Sequence, residues 1–218
     1  MADEIAEQIM EEMTEDKKKD LVEAKIFDLY DINEVVVNDL GLKNIINLDF
    51  RLLVKSHGRA SQKHGKIHVN LIERLVNMLG VPGHRGKKHK IGTKQASGKY
   101  NRNTKTVLDA FKIINKKTGK NPIQILVQAI ENGSPRDEVT MIQYGGARYP
   151  QAIDCSPMRR VSIALRNIVH GSYDKAFNKK KTIAEALADE LIATANMSQD
   201  SFSHTKRNDT EKQADGAR

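Results

Sequence analysis

Between Asn121 and Gly171 the spacing of apolar residues changes from helical to alternating and back to helical, and each change carries its own start or stop signal. Asn121-Pro122 supplies a cap and a preset first turn, Ile123, Leu126, Val127 and Ile130 form an i, i+3, i+4, i+7 stripe, and Asn132-Gly133 closes it. Arg136 to Tyr144 and Ala147 to Asp154 then flank Gly145-Gly146, which can take positive φ at both positions of a two-residue hairpin turn. Counting outward from that turn pairs Ile142 with Tyr149 and Met141 with Pro150; a proline is tolerated because both strands of an isolated ribbon are edges. Ser156-Pro157 opens the next helix, which buries Val161, Leu165 and Ile168 and is expected to stop near His170 at Gly171. The order predicts a helical body from which a hairpin, residues 136–154, projects.

The neighbouring segments extend that body. Lys66 to Leu79 reads as a helix burying Ile67, Leu71, Leu75 and Leu79, with Gly80 and Pro82 to end it. Asn101 to Lys117 places Val107, Ala110, Phe111 and Ile114 on one face and stops at Thr118-Gly119. A capping box, Thr182 with Glu185, starts a helix carrying Ile183, Leu187 and Leu191 toward Asn196. Ser203 to Arg218 is polar all round, which suits either a terminal helix held by a partner or a mobile tail. Hydrophobic residues make up 39% of the 218, but there is no Trp and aromatics reach only 5%, so the core is mostly Leu, Ile, Val and Met. The predicted fold class is mainly α: a bundle of five or six helices with an inserted two-stranded β-hairpin and an acidic N-terminal arm.

Charge divides the chain. Residues 1–50 hold 5 basic and 14 acidic side chains, whereas residues 51–218 hold 31 basic and 14 acidic, so the net +8 is the difference between two opposed parts. The first part contains an acidic amphipathic stretch with Ile5, Ile9 and Met13 at spacing four, then Ala24 to Leu48, short β-branched pieces broken by Asn38-Asp39 and Leu40-Gly41. It reads as an arm, residues 1–50, whose acidity can fold back on a basic body, residues 51–218. Within the body, Lys55 to Lys120 carries 17 basic residues against Glu73 and Asp109 alone, with five histidines. Such a density self-repels unless a polyanion neutralises it, and counterion release from nucleic acid then supplies most of the affinity. A solvated basic surface explains a short charge run equally well, but not a third of the chain.

The segment of residues 83–99 has one large apolar residue, Ile91, among Arg85, Lys87, Lys88, Lys90, Lys94 and Lys99; it cannot make a core and is expected to thread into RNA. The expected phosphate contacts continue through Lys55, Arg59, Lys63 and Lys66 on one side, Arg102 and Lys105 on the other, and Arg136, Arg159, Arg160 and Arg166 beyond. Arg159 and Arg160 fall in a helix's first turn, where cations oppose the macrodipole by a few tenths of a kcal/mol each, so an anionic partner explains them better than helix stability does.

No catalytic set can be assembled. His64 and His68 sit at i, i+4, a spacing that can chelate zinc, but no Glu base or Cys ligand accompanies them, and among lysines they read more simply as donors to phosphate or base edges. The glycines between Gly80 and Gly98 lack the spacing of a phosphate loop. Cys155, the single cysteine, excludes an intramolecular disulfide, suits a reducing compartment, and has no activating neighbour, so it reads as space-filling. No metal or other cofactor is expected. No apolar run approaches the roughly 18 residues of a membrane span, and Met1 to Asp20 lacks the basic-then-apolar order of a signal peptide, which leaves a protein of the cytosol.

Four strings, GKIHVNLIERLVNML (Gly65 to Leu79), TGKNPIQILVQAIENGSPRDE (Thr118 to Glu138), QAIDCSPMRRVSIALRNI (Gln151 to Ile168) and KTIAEALADELI (Lys181 to Ile192), taken in order, resemble the universal small-subunit ribosomal protein seven family. The resemblance runs from about Arg51 to the carboxyl terminus, and the acidic arm looks like the archaeal and eukaryotic branch. The loop of residues 83–99 is longer than the family's usual connection between its first two helices. The resemblance implies a non-enzymatic constituent of the small ribosomal subunit that binds ribosomal RNA, nucleates assembly of the head, and touches neighbouring ribosomal proteins. It also implies that the hairpin lies between head and platform, with Tyr144, Gly145, Gly146, Arg148 and Tyr149 near the exit-site transfer RNA and the messenger. The rival is a helical DNA-binding regulator whose helix from Asn101 enters a major groove and whose hairpin is a β-wing. Cations spread over loops, hairpin and helix starts favour RNA wrapped from several sides.

Overall fold

Helices begin where a nearby side chain can take up orphan backbone N–H groups, and in this chain those caps decide most of the boundaries. The structure is a computed structural model, and it describes residues 25–49, 63–82 and 99–218. Two paired dipeptides, β1 (Lys25–Ile26) and β2 (Tyr30–Asp31), and a single helical turn, α1 (Leu40–Lys43), come first. A 3₁₀ turn at Gly65–His68 precedes α2 (Leu71–Leu79). Then follow α3 (Tyr100–Thr118), α4 (Pro122–Gly133), the ribbon of β3 (Asp137–Tyr144) and β4 (Ala147–Asp154), α5 (Pro157–Ala176), α6 (Ile183–Ala195) and α7 (Phe202–Asp215). The described residues are thus mainly helical with an inserted hairpin, as expected.

Three boundaries differ from the sequence reading. The first helix starts at Leu71 rather than Lys66, because Asn70 is extended and its side-chain oxygen accepts from the Ile72 N–H at 2.7 Å, leaving half-buried Ile67 in the preceding 3₁₀ turn. The helix from Pro157 does not stop at Gly171 but runs to Ala176. A Cβ at Gly171 would lie 2.7 Å from Cβ of Phe202 and 2.9 Å from Cδ of Glu190, so this glycine serves close packing of three helices, not termination. The polar C-terminal segment is a helix held inside the chain. Fully buried Glu190 accepts from Lys175 Nζ at 2.6 Å, Ser201 Oγ at 2.9 Å and the Ser203 N–H at 3.1 Å, which pins the start of α7 to α5 and α6. The charge is paired and its lone pairs are used, the condition under which a carboxylate can be buried.

The alanine-rich helix α6 is the element on which α3, α4 and α5 all pack, and its small residues Ala186 and Ala188 let three neighbours approach Leu187 and Leu191. The expected stripes of α3 and α4 are fully buried. Ile183 departs from its predicted place: it is exposed at the start of α6. Ile26, Tyr30, Leu42 and Ile46 of the arm belong to the same cluster, and Tyr30 meets Phe111 edge-on at 6.0 Å. The arm is strapped along α4: Val36 exchanges two hydrogen bonds with the Gln124 amide, and Glu131 Oε1 accepts from the Asn38 and Asp39 N–H groups at 2.7 and 2.9 Å.

The ribbon has the predicted register, Ile142 opposite Tyr149 and Met141 opposite Pro150, with φ of 57° and 85° at Gly145 and Gly146. Its base is closed by the Cys155 N–H on Arg136 O at 2.7 Å and backed by α7, where Glu211 accepts from the Arg136 N–H and Arg218 pairs with Asp137.

Candidate nucleic-acid interface

Of the expected phosphate contacts, Lys55, Arg59, Arg85, Lys87, Lys88, Lys90 and Lys94 lie outside the described residues, as do the rest of the segment 83–98 and residues 1–24. Lys63, Lys66, Lys99, Arg102, Lys105, Arg136, Arg159 and Arg166 are all exposed. They are distributed as a loop would present them: Lys63 and Lys66 at the 3₁₀ turn, Lys99, Arg102 and Lys105 over the first turns of α3, Arg136 at the root of the ribbon, and Arg159 and Arg166 along α5. Arg159, Ser162 and Arg166 fall at i, i+3 and i+7 and so share a face of α5. Ser162 Oγ there accepts from Nη2 of Arg74 on α2 at 3.2 Å. Burial pushes the Arg74 guanidinium below its ordinary pKa.

Arg160 is placed differently from its neighbour. Its side chain is 12% exposed and its Nη2 donates to Asp39 Oδ2 at 2.7 Å and to Ser134 Oγ at 3.2 Å, so the anion that its position at a helix start calls for is supplied by the arm. Burial alone would raise the Asp39 carboxyl, but hydrogen bonds from Arg160 and the Gly41 N–H, with the charges of Arg160 and Arg136, hold it below the usual carboxylate value. Arg159 is 57% exposed and pairs with Glu138 at the root of β3, Nη2 to Oε2 at 2.6 Å. Its guanidinium faces solvent and can exchange that carboxylate for a phosphate.

Tip residues Tyr144, Gly145, Gly146, Arg148 and Tyr149 are all exposed, Tyr144 at 80%. Two-residue alternation puts Tyr144, Ile142 and Tyr149 on one face of the ribbon, where unsatisfied aromatic surface can stack on bases. Cys155 is buried at the ribbon root; burial, then the neighbouring Glu138, pushes its thiol up to about 11, which keeps it an unreactive thiol. His64 and His68 do not share an α-helical face, since His64 is left-handed at φ 63° before the 3₁₀ turn, and no group of three metal-ligating side chains occurs among the described residues.

One basic feature escaped the sequence reading: Lys179 and Lys180 are exposed just beyond α5, next to a groove that Lys181 and Arg102 both line. The tripeptide Lys179-Lys180-Lys181 is the available signal, but in sequence it lies far from the basic stretch of residues 55–120.

Residues 53–218 match the model of the family described as ribosomal protein S7p/S5e. The chain is 44% identical over 196 residues to the small ribosomal subunit protein uS7 of Nanoarchaeum equitans, covering 89% of this chain and 98% of that protein. Identity to the protein of that name from Thermoplasma volcanium is 42% over 194 residues, 88% and 100% of the two chains. For the Archaeoglobus fulgidus protein it is 43% over 197 residues, 90% and 96%.

Proposed function

We propose, from the premise that this chain belongs to the ribosomal protein S7p/S5e family, that it binds ribosomal RNA directly and nucleates the head of the small ribosomal subunit. The chain is a structural, non-enzymatic constituent of that subunit, in the cytoplasmic ribosome. Its RNA partner is the small-subunit head RNA, its protein partners are neighbouring small-subunit proteins, and its hairpin tip approaches exit-site transfer RNA and messenger. The observation that supports the RNA reading is the dispersal of exposed cations over a 3₁₀ turn, two separate helices and the ribbon root rather than along one helix. A major-groove reader needs its specifying side chains on a single inserted element, whereas folded RNA is gripped by its phosphates from several sides. Lys63, Lys66, Lys99, Arg102, Lys105, Arg136, Arg159 and Arg166 position the RNA, joined by the cations of the segments 51–62 and 83–98. Arg160 acts one step back, by fixing the arm.

Affinity for head RNA and for duplex DNA, measured at matched salt, tests the proposal. The expected result is a large preference for the RNA and ribonuclease-sensitive co-sedimentation with small subunits. Equal affinity for the two polymers would overturn it in favour of the DNA-binding rival.

A further inference from the structure

Where α5 ends and the chain turns into α6, a groove of about 480 Å³ opens between the end of α2, the first turns of α3 and the α5–α6 turn. Among the described residues, no Asp or Glu lines it. Arg102 and Lys181 stand on its walls, and Lys179 and Lys180 are exposed beside it; Lys181 is held by Asp189, which also takes Lys117 Nζ at 2.5 Å. Two aromatic rings, Tyr173 and Phe177, lie in it near-parallel, 6.1 Å apart at 28°, and Phe177 remains 45% exposed. The left-handed Asn178, at φ 56°, makes the turn that leaves Phe177 at the groove's mouth. Asn103 lines the same groove and is only 9% exposed. A side-chain amide offers both donors and an acceptor to a molecule seated there.

Each feature selects against common occupants. An apolar helix from a partner would make no use of the Asn103 amide, and a basic peptide would meet no carboxylate among the described lining residues. A nucleobase supplies a flat face for Phe177 and an edge of donors and acceptors for an amide that is both, while its phosphates answer the lysine run and Arg102. The volume falls in the range of small-ligand sites, about 300 to 1,000 Å³, large enough for one nucleotide and not for a duplex. We propose that this groove binds one unstacked nucleotide of the RNA, with its base on Phe177, its edge on Asn103, and its phosphates on Arg102 and Lys179 to Lys181. The inference rests on the RNA-binding reading above and adds to it a site that recognises an extruded base rather than a backbone.

The test is 2′-hydroxyl chemical probing of the small-subunit head RNA bound by the wild-type chain and by Phe177→Ala, Phe177→Tyr and Arg102→Gln. With Phe177→Ala and Arg102→Gln, one to a few unpaired nucleotides should become reactive while the rest of the footprint persists, and affinity should fall about fivefold or more in the Ala variant. Phe177→Tyr should keep the protection. Arg102 is exposed, so its variant decides the matter even where Phe177→Ala does not fold. Footprints identical to wild type in both variants overturn the groove and leave the RNA-binding reading standing. Loss spread evenly over the footprint, or loss in Phe177→Tyr equal to that in Phe177→Ala, also overturns it. Absence of any footprint with the wild-type chain overturns the RNA-binding reading itself.

Discussion

Arg159 and Arg160 are adjacent cations in the first turn of one helix, yet one faces solvent and the other is folded into the arm. Their substitutions therefore separate binding from stability. Arg159→Ala should leave the unfolding midpoint nearly unchanged, as surface changes do, and lower the salt slope of RNA binding by about one unit. Arg160→Ala removes the cation paired with Asp39 and a donor to Ser134, and should cost about 1 to 3 kcal/mol in denaturant unfolding with a smaller effect on the salt slope. Equal destabilisation by both would refute the distinction. The same pair sets a pH dependence. The folded-state pKa of Asp39 is depressed, so its contribution is present above the unfolded value near 4 and is lost as pH falls through the folded one. Thermal unfolding from pH 6 to pH 3 should thus show a steeper loss for wild type than for Asp39→Asn, and parallel curves would count against the assignment. Residue type and helix position made Arg160's need for an anion legible in sequence. That the anion is Asp39, 121 residues away, was not, because pairing across that separation is decided by packing.

Elements were legible where their signals are local. The Asn121-Pro122 start, the Thr182 and Glu185 box and the Gly145-Gly146 turn all depend on residues within a few positions, and each forms as read. Gly171 reads in sequence as a helix end because a glycine permitting close approach and a glycine ending a helix look alike until Phe202 and Glu190 are in place. The polar α7 was ambiguous for a related reason: its hold on the body is Glu190, a charge buried by a partner network rather than an apolar stripe. The ribbon's root is tied to α7 and Arg159, while Gln143 to Arg148 are exposed beyond it. Trimming Gln143 to Arg148 should leave the unfolding midpoint and head-RNA affinity unchanged and speed dissociation of exit-site transfer RNA from assembled subunits. Lost RNA affinity with unchanged dissociation would reverse the roles of tip and body.

At the scale of the whole molecule the opposition of acidic arm and basic body has a structural counterpart. The described part of the arm, residues 25–49, does not merely lie on the helices: Ile26, Tyr30, Leu42 and Ile46 are buried in the same cluster as Leu75, Phe111 and Leu126. Charge composition points toward an arm folding back, but its apolar residues, broken up by turns, follow no period from which burial can be read. Each such side chain, fully buried, contributes about 1.5 to 3 kcal/mol, so four of them amount to much of the roughly 5 to 15 kcal/mol that holds a domain folded. A chain beginning at residue 50 should consequently fail to show a cooperative unfolding transition, and Leu42→Ala alone should cost about 2 to 5 kcal/mol. The measurement is denaturant unfolding followed by circular dichroism on both variants, beside the full chain. If the shortened chain unfolds cooperatively at the full chain's midpoint, the arm is an ornament on an independent helical body. If it does not, the arm is the strap that closes the core, and the Asp39–Arg160 pair keeps that strap registered beside the exposed Arg159.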